Sequence, residues 1–126
     1  MKQEAELDIE SDTLAGRPLL RLRGLVDFRT SPRLREPLRR WVEEGVQAAV
    51  LNLKKLEKID TTGVATIAET ASDLRDRGGQ LVLVNDSAAV RRALELSDME
   101  DCCPRCNTEE EAARLLAERS SERDRP

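Results

Sequence analysis

Blocks of strand-like and helix-like sequence alternate along the chain and predict an α/β domain built on one sheet of four or five strands. Three observations carry that prediction. The runs Ala48-Ala49-Val50-Leu51-Asn52-Leu53 and Leu81-Val82-Leu83-Val84 have strand length and are apolar enough to be covered on both faces. Each is followed by a turn and then by apolar residues at helical spacing. Strands and helices in that order call for parallel neighbours joined by right-handed crossovers.

The elements follow in sequence. Leu7 and Ile9 alternate with charges, and Leu20, Leu22 and Leu25 recur within RPLLRLRGLVDF, so two short strands flank the turn-prone Ala15-Gly16. Ser31-Pro32 marks a helix start, a capping hydroxyl followed by proline at the first helical position. Leu34, Leu38, Trp41 and Val42 give that helix one buried stripe, which ends near Gly45. After the first apolar run, Val64, Ile67, Ala68, Ala71 and Leu74 form a second stripe, from Thr61 to a stop at Gly78-Gly79. Asp86-Ser87 caps a helix with Val90, Ala93 and Leu94 inward, and Thr108-Glu109-Glu110-Glu111 reads as a capping box before Ala112, Leu115 and Leu116. Val50, Leu51, Leu53, Ile67, Leu81, Leu83 and Leu94 are expected to share one core between sheet and helices. The domain is expected over 1–119, with 120–126 a disordered polar tail.

Composition narrows the function. The 126 residues include 21 basic and 25 acidic side chains, a net charge of −4, which gives no electrostatic case for nucleic acid or anionic membrane. No apolar run approaches the roughly 20 residues of a membrane span, and the polar start is no signal peptide, so the chain reads as soluble and cytoplasmic. Histidine is absent and the aromatics are Phe28 and Trp41 alone. That inventory excludes a base-stacking platform, a histidine acid/base and a histidine metal site. With no G-x-x-x-x-G-K phosphate loop either, neither an enzyme nor a bound cofactor is expected.

The segment Ile59-Asp60-Thr61-Thr62-Gly63-Val64 holds the candidate site. Two hydroxyls and a carboxylate stand where a strand gives way to a helix whose first N–H groups lack internal partners. Such a turn can cap itself, bind an anion or carry a phosphoryl group. Asp60 and Thr61 are the candidate caps. Thr61 lies at the edge of the apolar stripe, roughly 80° from its centre, and Thr62 lies nearly opposite it. Gly63 is expected to leave the backbone open to a partner. Taken alone, the tetrapeptide reads more simply as a helix cap.

Its surroundings change that reading. VLNLKKLEKID, the turn DTTG, a helix of about four turns, GGQLVLVN and SAAVRRALELSDM follow one another as do the blocks of STAS domains from bacterial anti-sigma-factor antagonists, which this chain resembles from about Leu20 to Leu116. Gly24-Leu25-Val26-Asp27 is similar to the family's G-E-L-D element, with Leu25 in place of an acidic residue. The resemblance implies a mixed sheet of four to five strands with about four helices. It also implies that Thr61 is phosphorylated by a partner anti-sigma factor of the serine/threonine kinase (GHKL-type) fold. Asp27, Asp60, Thr61, Thr62 and Gly63 then belong to the partner surface, and phosphorylation switches binding off. A second implied reading keeps the fold and drops the kinase: an adaptor subunit of a lipid-transporting ABC ATPase or of a stress-sensing complex.

Cys102, Cys103 and Cys106 fall where the family has its short last strand. They are read first as small buried side chains. A redox or intermolecular role and a metal shared with a partner are the alternatives, since three thiols without histidine do not complete a zinc site.

Overall fold

The computed structural model describes residues 6–85, 87–97 and 103–123. Its elements are β1 (Leu7–Leu14), β2 (Arg17–Val26), α1 (Ser31–Glu43), β3 (Ala48–Ile59), α2 (Thr61–Asp76), β4 (Gln80–Val84), α3 (Ala88–Leu96), β5 (Arg105–Cys106) and α4 (Glu109–Arg123). The five strands form one mixed sheet in the order β1-β2-β3-β4-β5, with β1 antiparallel to β2 and the remaining neighbours parallel. The expected α/β domain is therefore observed.

Local chemistry explains each boundary. Ala15 and Gly16 both adopt positive φ (52° and 76°), the geometry of a two-residue hairpin turn that matches strand twist. The α1 cap differs from expectation. Thr30, not Ser31, is the cap residue, and its hydroxyl turns back to the preceding loop instead of onto the helix. Ser87 caps α3 through Val90 N–H as expected, while Asp86 lies outside the described residues. Thr108 Oγ1 accepts from Glu111 N–H at 3.1 Å, and Glu111 reaches back to Asn107 N–H at 2.8 Å, so the capping box closes one residue early. Helix α4 runs on to Arg123, four residues into the stretch expected as a disordered tail; 124–126 lie outside the described residues.

Burial divides between the two faces of the sheet. Helices α1, α2 and α3 cover one face over Leu20, Leu22, Leu51, Leu53, Leu81 and Leu83. Helix α4 covers the other over Leu19, Val50, Val82 and Val84, through Ala112 and Leu116. Val50 thus parts company with the rest of the expected core, because successive strand residues point to opposite faces. The two described thiols also lie on opposite sides. Cys103 packs on the three-helix face and Cys106 on the α4 face. Burial, with Glu111 nearby, raises the Cys106 thiol pKa. Cys102 lies outside the described residues.

Close approaches at Gly24, Gly63 and Gly79 depend on glycine. Gly24 has φ +102° and sits against the Glu6 carbonyl, where a Cβ would collide with backbone. Leu25 N–H donates to that same carbonyl at 2.8 Å, and the register of β2 on β3 shifts between Gly24 and Leu25. Gly63 underlies the start of α2.

Candidate functional site: the rim where parallel strands end

Strands β2 and β3 run parallel and finish side by side, Val26 opposite Ile59. Asp60 N–H continues the ladder by donating to the Val26 carbonyl at 3.0 Å. The loop after β2 and the start of α2 are thereby fixed next to each other, at the carboxyl ends of the strands where sites in parallel sheets form.

Asp60 is the α2 cap residue. Its backbone is extended, and its Oδ1 accepts from Gly63 N–H at 3.0 Å. The same oxygen accepts from the Thr62 hydroxyl at 2.6 Å. The two threonines are therefore unequal. Both are exposed, but Thr62 is tied to the cap, whereas the Thr61 hydroxyl makes no hydrogen bond among the described residues. Of the two expected caps, Asp60 acts as one and Thr61 does not. Thr61 occupies the first helical position, where unpaired N–H groups and the positive end of the helix dipole favour a nearby anion.

Gly63 corrects an expectation. It is buried, and a Cβ there would lie 2.7 Å from side-chain atoms of both Ile59 and Val26. Its missing side chain lets the helix start settle on the ends of β2 and β3. It supports the surface from beneath and is not open to a partner.

Asp27 is brought to the same rim, but its carboxylate builds the loop. Oδ1 accepts from the Arg29 and Thr30 N–H groups at 2.9 and 3.2 Å, and Oδ2 from the Arg29 guanidinium at 3.0 Å. In return Asp27 N–H donates to Thr30 Oγ1 at 2.9 Å, and that hydroxyl donates to the Leu25 carbonyl at 3.1 Å. Partial burial pushes the Asp27 carboxyl up, but these donors outweigh it and hold the pKa below the ordinary aspartate value. Arg29 also pairs with Glu6 at 2.8 Å.

A cleft of about 460 Å³ lies elsewhere, against β1, β2, β3 and the start of α4. Its centre is Arg21, which holds Glu109 through Nε (2.7 Å) and Nη2 (3.0 Å), and Asp12 and Glu10 through Nη1. Asn52 donates to the same Glu109 carboxylate at 2.7 Å. Each of these groups therefore has a hydrogen-bond partner within the cluster. Sequence reading missed this cluster because Arg21 and Glu109 are 88 residues apart. Among the described residues, no group of three His, Cys, Asp or Glu side chains is placed to hold a metal, and no helix is long and apolar enough to cross a membrane.

Known proteins resemble this chain in sequence and in fold. Residues 8–112 match the family model for the STAS domain. A Bordetella bronchiseptica protein, BtrV, named an anti-sigma factor antagonist, is 29% identical over 107 residues, covering 85% of this chain and 92% of that one. The crystal structure of an anti-sigma factor antagonist from Mycobacterium paratuberculosis superposes with a TM-score of 0.77, at 21% identity over 90% of this chain and 99% of that one. SpoIIAA, described as an anti-sigma factor antagonist and as a Bacillus cell fate determinant, superposes in both its states. The unphosphorylated form gives a TM-score of 0.73 at 20% identity, covering 87% of this chain and 97% of that one. The phosphorylated form gives 0.68 at 20% identity, covering 86% and 99%.

Proposed function

The chain belongs to the STAS family, and we propose that it is a cytoplasmic anti-sigma-factor antagonist whose binding is switched off by phosphorylation of Thr61. The observation that carries this reading is the contrast within DTTG: an exposed hydroxyl at Thr61 without a hydrogen bond among the described residues, beside one held by Asp60 at Thr62. An acceptor must reach a nucleotide, and Thr61 can do so without breaking any internal bond. Gly63 underpins the surface, and Asp27, Asp60, Thr61 and Thr62 surround the contact.

The partner is an anti-sigma factor of the serine/threonine kinase (GHKL-type) fold that holds ATP. In the reaction Thr61 Oγ1 bonds to the γ-phosphorus as the bond to the bridging oxygen of ADP breaks, and the hydroxyl proton leaves to a base of the partner. ADP departs. The product carries about −1.5 to −2 charge beside Asp60, in a surface that must lose water on binding. The free N–H groups at the start of α2 partly stabilise that charge, so the modified chain stays folded while its affinity drops. Each 1.4 kcal/mol lost at the interface is about a tenfold weaker complex. The adaptor reading keeps the same surface without the kinase, and no geometry of the rim favours it.

The test is to incubate the chain with ATP and each kinase-fold anti-sigma candidate of the same genome, then locate phosphate by mass spectrometry. Label on Thr61, none on Thr61→Ala, and constitutive binding by that variant are the expected results. Label on Thr62 would remove Thr61 from the role. No label with any candidate would move the reading to the adaptor.

A further inference from the structure

One apolar side chain at the rim plays no part in the packing of the domain. Phe28 is 70% exposed, while the chain's other aromatic residue, Trp41, is 7% exposed in the core. An aromatic ring is the side chain with most to gain from burial. Looseness of the loop does not explain the exposure. Residues 27–30 are closed by Asp27 and Thr30 on each other's N–H groups, by Thr30 on the Leu25 carbonyl, and by Arg29 on Asp27 and Glu6. The ring stands on backbone that is already ordered, so docking it costs little conformational entropy. An exposed ring on a pre-ordered loop is the signature of an interface anchor.

Its position says which interface. Val26 and Ile59 pair across adjacent parallel strands, and Asp60 N–H is bonded to the Val26 carbonyl. Phe28 follows Val26 by two residues, and Thr61 follows Ile59 by two. The two residues leave one edge of the sheet from strands about 4.8 Å apart. A protein that delivers a γ-phosphoryl group to Thr61 is many times wider than that spacing and must cover the Phe28 loop as well.

We infer that Phe28 is the apolar anchor of the partner surface, seated in an apolar pocket of the kinase-fold protein that phosphorylates Thr61; this rests on the function proposed above. Phe28 acts on association and not on phosphoryl transfer, because a phenyl ring has no group that takes the hydroxyl proton or answers charge on the transferring phosphoryl group.

The experiment takes the kinase-fold partner that labels the wild-type chain and titrates it with wild type, Phe28→Ala and Phe28→Leu. Phe28→Ala should bind about 10- to 100-fold more weakly, the range of an anchoring aromatic. It should raise the KM for Thr61 phosphorylation by a similar factor, leaving kcat within about twofold. Phe28→Leu should recover most of the affinity, and both variants should melt with the parent. Binding by Phe28→Ala within about twofold of wild type would overturn the anchor and leave the switch standing. A fall in kcat at unchanged KM would overturn it too, by placing the ring in the transfer step. A wild-type chain that no kinase-fold candidate binds or labels would overturn both readings together.

Discussion

Two polar clusters sit on one sheet and differ in what they leave over. Around Arg21, guanidinium, carboxylates and the Asn52 amide answer one another, and the result is a clamp that holds the start of α4 to β2 and β3. At the rim, Asp60 satisfies Gly63 N–H and Thr62 and stops there, so the neighbouring Thr61 hydroxyl is left without a bond among the described residues. The closed cluster is architecture; the open one offers chemistry. The 460 Å³ cleft lies beside the closed cluster and not beside the open one. Unsatisfied groups, not volume, mark the proposed site here.

That contrast can be broken or sharpened by measurement. Both clusters rest on an apolar core, so the largest loss should come from the core itself. Leu83→Ala, at a residue 1% exposed, should cost about 2–5 kcal/mol in urea unfolding. A smaller loss than at either polar cluster would reverse the hierarchy. Next is Gly63→Ala, which should cost about 1–3 kcal/mol because its Cβ meets the stiff β-branched Ile59 and Val26. A parent-like melt would show that the helix start can shift freely, and the rim would lose its rigid base.

Breaking the clamp should have a smaller effect that is local. Arg21→Ala should cost about 1–2 kcal/mol, since the cluster is partly solvent-screened, and should speed amide exchange in α4 more than in α2. Equal protection in the two helices would mean that α4 is held by its apolar side alone. Acid offers a gentler probe. The Arg21 guanidinium above all, with Asn52, holds the Glu109 carboxyl below its ordinary value of 4.5 despite partial burial. With the folded pKa below the unfolded one, the stabilisation is present above about pH 4.5 and is lost as pH falls through the folded value. Glu109→Gln should flatten that limb of the stability curve, and an unchanged acid limb would show that the clamp does not set it. The smallest effect belongs to the open cluster. Thr61→Ala should change stability by no more than about 0.5 kcal/mol while abolishing phosphate incorporation. A large loss would reveal a structural bond at this hydroxyl.

What the sequence disclosed follows from how local the determinants are. The stripes of α1, α2 and α3 and the buried runs of β3 and β4 rest on spacing within one element, and they appear where spacing places them. The second half of β3 does not show that periodicity. Leu53, Leu56 and Ile59 are buried at intervals of three, because two register shifts against β2 break the alternation. At the site, Asp60 and the threonines could be read from composition, but the inequality of Thr61 and Thr62 could not. It depends on which hydroxyl the cap oxygen captures. Gly63 invited a surface reading because glycine is silent about which side it faces; only the Ile59 and Val26 side chains beneath it decide. Phe28 carried one faint signal, its rarity in a chain with two aromatics, and its exposure emerges only once Asp27 and Thr30 fold the loop.

A hydroxyl that holds nothing together can be altered without any rearrangement to wait for. In signalling terms, the proposed mark at Thr61 has no mechanical latency: the message is written on the surface, not relayed through the interior. Response time is then set by how often kinase and chain meet, and erasure by how fast a phosphatase reaches an exposed side chain. On this proposal the domain beneath is a page, and the mark needs no change in it to be read.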